Sequence, residues 1–334
     1  MATVTEAQIR PTELMARKAH CVDADRDFLL ERRSRWIDVP CPACGGSSHA
    51  VYGEKQGFRY VTCDDCRTVY TNPRPPVDLL HEFYSQSANY AFWNEHIFPA
   101  TEEVRRERIF RPRAERLAEF CRRFGISGGT FLEVGAAFGT FCEEVRSSGT
   151  FDEVIALEPT PGLAETCRRR GFTTWETFVE SIEATDFART VAAFEVIEHL
   201  FDPAEFLDAC RRVLEPGGLV VLSCPNVMGF GVATLGTASG SFDHEHLNYF
   251  HPRSLASLLD RRGFDVLEVQ TPGQLDVDLV RTAVRERKLD LSDQPLLQQI
   301  VVDEHERLGG PFQQFLADHC LSSHLWIVGR KRSA

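Results

Sequence analysis

Four cysteines have the types and spacing to hold one metal ion. Cys41 and Cys44 form one CxxC pair, Cys63 and Cys66 another, and residues 45–62 lie between them. That separation falls in the ~15–20 residues of zinc-binding pairs. Two such turns brought together by a hairpin make a closed tetrahedral site. With sulfur at every position no place is open for water or substrate, so the Zn²⁺ is expected to be structural. It would supply the folding free energy that the short stretch 37–72 cannot gain from its own core. A second constellation is suited to proton transfer. FEVIEHL places Glu195, Glu198 and His199 at i, i+3 and i+4, on one face of any helical turn. DHEH, residues 243–246, is followed by Tyr249, Phe250 and His251. Glu245, His246 and His199 are the candidate acid–base groups, matched to removing a proton near neutral pH. One histidine of DHEH is expected at the surface. A third constellation is a small-residue loop, FLEVGAAFGTF, in which Gly135 and Gly139 flank Ala137. Backbone can approach a ligand closely there. Glu133, just ahead of the loop, would repel a pyrophosphate and suits a cationic ammonium group. Glu158, in ALEPT, stands where a carboxylate accepts hydrogen bonds from a ribose. The loop lacks the third glycine of a dinucleotide fingerprint and the Gly-Lys of a phosphate loop.

These residues need elements to position them. From Gly129 onward strands and helices alternate. Strands are expected at 130–134, 153–158, 172–176, 190–196, 218–226, 264–271 and 322–331. Helices follow at 139–149, 161–171 and 254–263, and another begins at Pro203 behind the cap Asp202 and is stopped by Pro216–Gly218. Such alternation predicts an α/β fold, a seven-stranded, mostly parallel sheet with helices on both faces. Every candidate group then falls at a strand end or in the loop after one. Ahead of this domain (126–334, with a helical insertion at 272–320) stand a helical extension (1–36), the cysteine ribbon (37–72) and a helical linker or lid (73–125). The linker's charged amphipathic helix is expected over 102–124. The loop Gly229–Ser241, rich in Gly and Ser, is expected to move over a substrate.

Composition narrows the classes. The chain has 334 residues, with 37 Lys and Arg against 49 Asp and Glu, a net charge of −12. That sign disfavours nucleic acid and anionic membranes as partners. No apolar run is long enough to span a bilayer, and the polar N-terminus does not read as an export signal. Eleven cysteines, an odd number, read as thiols in a reducing, cytoplasmic setting.

Taken in order, LEVGAAFGTF, ALEP, FEVIEHLFDP, LEPGGLVVLSCPN and HLNYFHPRSLASLLDRRGF resemble the class I S-adenosylmethionine-dependent methyltransferases. The resemblance implies a Rossmann-like domain. In it Glu133 and the backbone of Gly135, Ala136, Ala137, Gly139 and Thr140 hold the methionine end of the cofactor. Glu158, with Pro159 after it, holds the ribose, Thr177 and Phe178 flank the adenine, and Glu195 borders the methyl-donor pocket. The front portion, CPACGG…CDDCRTVYTNPRPPVDLLHEFY, looks like the zinc ribbon ahead of sugar and natural-product methyltransferases. Resemblance to the sugar C-methyltransferases carries Glu245 and His246 over as acid–base groups, with His199 nearby. The E-x-x-E-H spacing also resembles ubiquinone-pathway O-methyltransferases, where it can hold a divalent cation. The expected activity is methyl transfer to carbon or oxygen of a small metabolite, a sugar or natural-product intermediate. Two alternatives are a zinc-ribbon methyltransferase of ribosomal RNA and a non-catalytic cofactor-binding scaffold. The charge opposes the first, and the presence of both Glu133 and Glu158 opposes the second.

Overall fold

A computed structural model describes residues 6–333; the first five residues of the N-terminal extension lie outside it. Strands are numbered along the chain. β1 (His49–Lys55), β2 (Phe58–Cys63) and β3 (Val69–Thr71) belong to the ribbon. β4 (Thr130–Val134), β5 (Glu153–Leu157), β6 (Thr173–Trp175), β7 (Ala188–Phe194) and β8 (Leu214–Pro225) follow, then β9 (Asn248–Tyr249), β10 (Phe264–Gln270) and β11 (His324–Lys331). Seven of them form one sheet in the order β10-β11-β8-β7-β4-β5-β6. β4 to β8 are parallel, and β11 runs antiparallel between β8 and β10. All seven strands expected from the sequence are present.

Burial on both faces follows the period of two. Leu132, Val134, Val191, Ala193, Val220 and Leu222 face one core, with Phe206 and Leu207 of helix Pro203–Val213 and Leu255 and Leu258 of helix Pro252–Arg261. Phe131, Ala192, Phe194 and Val221 face the other, against Leu117 and Phe120 of helix Arg111–Arg123 and Phe141 of helix Thr140–Ser148. The ribbon joins the first of these cores through Cys41, Ala43, Val61, Cys63 and Tyr70.

Three local expectations are corrected. Helix Pro203–Val213 ends ahead of Pro216–Gly218, which lie inside the long strand β8. The charged helix expected over 102–124 starts earlier, at Phe98, and runs to Arg123 with one wider helical turn, Arg106–Phe110, in its middle. The stretch Gly229–Ser241 holds a helix, Phe230–Leu235, and a 3₁₀ turn, Gly236–Ala238. Its first glycine serves close approach: a Cβ on Gly229 would lie 2.4 Å from Ser323 Cα. Buried Asp276, from the insertion, accepts Gly231 N–H at 3.2 Å and Ser323 N–H at 2.7 Å. The first turn of the segment is therefore bonded to the residue that leads into β11 and to the insertion.

The ribbon sheet has the order β1-β2-β3-β9, so its fourth strand comes from the α/β domain. Arg74, fully buried, sits at this junction and donates to Thr71 O, Phe201 O and Asn248 Oδ1, each at 3.2 Å. No described helix is long and apolar enough to cross a membrane. Replacing Arg74 with Met keeps the volume but removes these bonds. The unfolding free energy is expected to fall by roughly 2–4 kcal/mol, read from urea melts.

Candidate functional site

The four ribbon cysteines converge. Cys41 Sγ lies 3.5 Å from Cys66 Sγ, and Cys44 Sγ lies 3.4 Å from Cys63 Sγ. All four sulfurs lie within 4.8 Å of one another. Tetrahedral zinc, with Zn–S of about 2.3 Å, sets sulfurs about 3.8 Å apart, so this donor set fits the ion. The distances are far too long for a disulfide. Gly45, at φ 76°, makes the tight turn after the first pair.

The glycine loop leaves the C-terminal end of β4 and enters helix Thr140–Ser148. Gly135, Ala137 and Gly139 all take positive φ (76°, 48° and 72°). Ala137, the one with a side chain, is held there because its N–H donates to Glu158 Oε2 at 2.8 Å. Glu158 also accepts Thr160 N–H at 2.9 Å. Burial pushes its carboxyl above the ordinary value, against these two bonds. Glu133 is buried and accepts from Cys142 Sγ at 2.9 Å. Burial pushes its carboxyl up to about 8, with the Cys142 bond and the Arg113 charge opposing. Glu133, Gly135, Ala136, Ala137 and Thr140 line a common cavity of about 110 Å³. Pockets for small ligands run to roughly 300–1,000 Å³. Here the stacked rings of Phe98 and Phe138, 3.9 Å apart and 2° from parallel, crowd the space. A ligand the size of S-adenosylmethionine needs that pair to part. A larger concavity of about 840 Å³ lies at the other end of β4, around Glu119, Arg122 and Gly128, and holds none of the candidate residues.

The sequence did not single out Arg113, which lines the same 110 Å³ cavity with its guanidinium 4.4 Å from the Phe194 ring centre. Its charge acts on both Glu133 and Glu195. An amino-acid moiety carries an ammonium and a carboxylate, and Glu133 with Arg113 offers one partner to each. The residue lies in a helix whose arginines all look alike in sequence; only packing distinguishes it. Pro159 is half-buried beside Glu158, and Phe178, half-exposed, stacks on His81.

Glu195 follows β7 at φ 56° and accepts Ser223 Oγ at 2.6 Å. Burial acts to raise its carboxyl, but His324, Ser223 and Arg113 outweigh it and the net shift is downward. His324, which the sequence reading passed over, stands 3.6 Å from it. Glu195 is exposed and Glu198 is buried, so the two do not share a face with His199. The 3₁₀ turn Ile197–His199 instead meets the DHEH segment. The rings of His199 and His246 lie 4.6 Å apart. His199 Nδ1 bonds Glu245 O at 3.2 Å, and His246 Nδ1 bonds Ser241 O at 2.7 Å. A carbonyl fixes Nδ1 as the donor, so each Nε2 keeps its lone pair. Ligand atoms of Glu198, His199 and His246 lie within 4.8 Å of one another, which suits a divalent cation. That replaces the expected Glu195, Glu198, His199 set. Burial pushes His199 down to about 3, and burial with the Asp243 charge raises Glu245 to about 7. Neither DHEH histidine is at the surface: His244 and His246 side chains are 2% and 16% exposed. Asn89, also unforeseen, donates its amide to Glu245 Oε1.

Two measurements follow from the cavity. Glu158→Ala removes the acceptor that orders the loop and should weaken S-adenosylmethionine binding by about 1.5–3 kcal/mol in calorimetry. Between the ordinary Glu133 value of 4.5 and about 8, the folded chain holds a proton that the unfolded chain releases. Stability therefore falls as pH rises through that window. The melting temperature of Glu133→Gln should fall less than that of the parent chain from pH 4.5 to 8.

Comparison with known proteins bears on the same region. Residues 104–269 match a family described as a methyltransferase domain. A Mycolicibacterium smegmatis protein named probable S-adenosylmethionine-dependent methyltransferase is 40% identical over 81 residues, 23% of this chain and 28% of that protein. A ubiquinone biosynthesis O-methyltransferase of Xylella fastidiosa is 27% identical over 171 residues, 46% of this chain and 68% of that one. The chain thus spans less than two thirds of the length of the first of these relatives. Among solved structures, Haemonchus contortus phosphoethanolamine N-methyltransferase 2 with S-adenosyl-L-methionine is 18% identical, at a TM-score of 0.43 over 66% of this chain and 52% of that one. Family match and strand order agree: residues 104–269 match a methyltransferase domain, set in the seven-stranded, mostly parallel sheet that the resemblance to the class I S-adenosylmethionine-dependent methyltransferases implies.

Proposed function

We propose that the chain transfers the methyl group of S-adenosylmethionine to an oxygen or carbon of a small polar metabolite, a sugar or natural-product intermediate. The observation that carries this reading is the chamber around Glu245. Its carboxyl, raised to about 7, can exchange a proton near neutral pH, and the Nε2 atoms of His199 and His246, whose Nδ1 atoms are turned to carbonyls, stand beside it. Around them Tyr84 Oη, Asn89 Oδ1, Glu198 Oε2 and both ring nitrogens of His244 are buried without a protein hydrogen-bond partner. Buried polar groups left unmet by the protein are matched by water or by a ligand with several donors and acceptors. A hydroxylated acceptor has that chemistry.

S-adenosylmethionine supplies the activated methyl; the chain must align the acceptor and take its proton. We read the four ribbon thiolates as a structural zinc site, and a reducing compartment keeps such thiols free. A second reading is favoured by the Glu198, His199 and His246 cluster. In it Glu198, His199 and His246 would hold a divalent cation, which would supply Lewis-acid activation of an acceptor hydroxyl. The relatives named ubiquinone O-methyltransferases fit an oxygen acceptor in that reading.

A screen of labelled methyl transfer into candidate metabolites tests the function. With an acceptor in hand, His246→Ala and Glu245→Gln should each lose about 10²- to 10⁴-fold in kcat while cofactor affinity holds. Full activity in both variants would remove the proton-transfer assignment. Activity of His199→Ala and His246→Ala restored by added divalent cation would favour the metal reading.

A further inference from the structure

The ribbon does more than sit beside the α/β domain: it satisfies the main chain of the segment that carries Glu245 and His246. Lys55, the last residue of β1, donates from Nζ to Ser239 O at 2.9 Å and to Phe242 O at 2.7 Å. Tyr60, in β2, donates its hydroxyl to Asp243 O at 3.1 Å. Thr71, the end of β3, donates Oγ1–H to His246 O at 3.3 Å and N–H to Leu247 O at 3.0 Å. Asn248 and Tyr249 then pair with Tyr70 and Val69 as β9. A strand of two residues has no stability of its own and exists because β3 lies beside it.

The same contacts reach the cysteine turns. Cys63 ends β2, and Cys66 lies in the turn into β3, closed by Cys63 N–H to Thr68 O at 2.9 Å and by Arg67 N–H to Cys63 O at 3.0 Å. Arg67 takes φ 64° within it. Cys66 O accepts from His251 Nε2 at 2.8 Å, and Cys44 O accepts from Arg261 Nη1 at 2.8 Å. Both CxxC turns are thus bonded to the α/β domain through carbonyls of the cysteines themselves. The cofactor loop is arranged differently. Gly135 N–H donates to Leu157 O at 2.9 Å and Ala137 N–H to Glu158, all within the large sheet.

We propose that the cysteine ribbon is the template of the acid–base segment: metal held by Cys41, Cys44, Cys63 and Cys66 fixes the conformation of residues 239–251 and so the placement of His246 against His199. The proposal rests on the readings that these thiolates hold a metal and that this segment transfers protons. It predicts that metal loss is felt inside the α/β domain, at one segment, while the cofactor half stays ordered.

Hydrogen exchange with mass spectrometry on the full chain tests it, before and after zinc is stripped by a thiol-reactive displacer and chelator. Exchange across 239–251 should speed by at least about tenfold, while β4, β5 and the cofactor loop keep their protection. S-adenosylmethionine affinity should stay within about twofold. Lys55→Met is a second arm that leaves all four thiols in place. It should speed exchange at 239–243 with one zinc per chain retained. Unchanged exchange over 239–251 after metal loss overturns the proposal. So does an even loss of protection through β4, β5 and β7, which would make the ribbon a general stabiliser. A purified chain without stoichiometric metal overturns it as well. Failure to bind S-adenosylmethionine with metal-dependent protection intact overturns the methyltransferase reading and leaves the template standing.

Discussion

A guanidinium stripped of water must find acceptors, and the position of Arg74 depends on that requirement. Its partners lie on three separate stretches: Thr71 in the ribbon, Phe201 after the His199 turn, and Asn248 beyond His246. Asn248 passes the link on, donating its amide to Leu200 O at 2.7 Å and Ile197 O at 3.2 Å. The rings of Tyr70 and Phe201 lie against the guanidinium, each centroid 5.8 Å away. Burial lowers the Arg74 pKa to about 10, so the group remains a cation at physiological pH. One buried charge thereby ties the cysteine ribbon, the turn that presents His199 and the strand that follows His246 into a single rigid junction. Arg74 Nη2 is buried without a protein partner, so these three bonds are what the protein supplies to the charge, and loss of any one adds to the penalty.

Charge is distributed across the site by the same logic. The chain is acidic overall, yet the glycine-loop cavity holds a carboxyl group and a guanidinium, Glu133 and Arg113. Away from the cavity, Glu102, Glu143 and Glu144 are neutralised by Arg106 and Arg170 in a compact network. Thr140 donates its hydroxyl to Glu102 at 3.0 Å, which joins this network to the start of the cofactor-loop helix. On the acceptor side acids and imidazoles accumulate with little compensating cation. Lys18, on helix Thr12–Glu31, acts on Glu245 and Asp243, Lys55 acts on Asp243, and burial lowers the pKa of both lysines. Burial dominates at Glu245 and His199, whereas at Asp243 the histidine charges and backbone bonds outweigh it and the carboxyl shifts down.

The N-terminal helices are part of this chamber. Asp25, buried on helix Thr12–Glu31, accepts Ala88 N–H at 2.8 Å and Asn89 N–H at 3.0 Å, and Ser87 donates its hydroxyl to it. That contact sets the start of helix Ala88–Phe92 and carries the Asn89 amide to Glu245. Segments remote in sequence thus close over the DHEH loop from two sides, the ribbon from one and the helical layer from the other. The helical insertion braces the stretch that leads into β11. Its small core of Val277, Val280, Leu291, Val301 and Leu316 anchors Asp276, and Asp276 fastens Gly231 and Ser323.

The amino-acid sequence determined what depends on short-range rules. CxxC spacing marked the four sulfurs, short apolar runs alternating with helical segments marked the seven strands, and LEVGAAFGTF with ALEP marked the loop and its carboxylate. Each of those signals lies within one turn or one strand, where local geometry decides. Tertiary structure decided the rest. Glu195, Glu198 and His199 looked like one face, but a 3₁₀ turn sends Glu195 outward and buries Glu198 against His246. Gly229–Ser241 looked mobile because glycines permit motion, but Gly229 is there to let Ser323 approach. Arg113, Asn89 and Arg74 gave no signal, since a lone polar residue acquires a role only from partners many residues away. β9 is two residues long and has no period to read; it is a strand because the ribbon leaves β3 with an open edge and unpaired amides beside it.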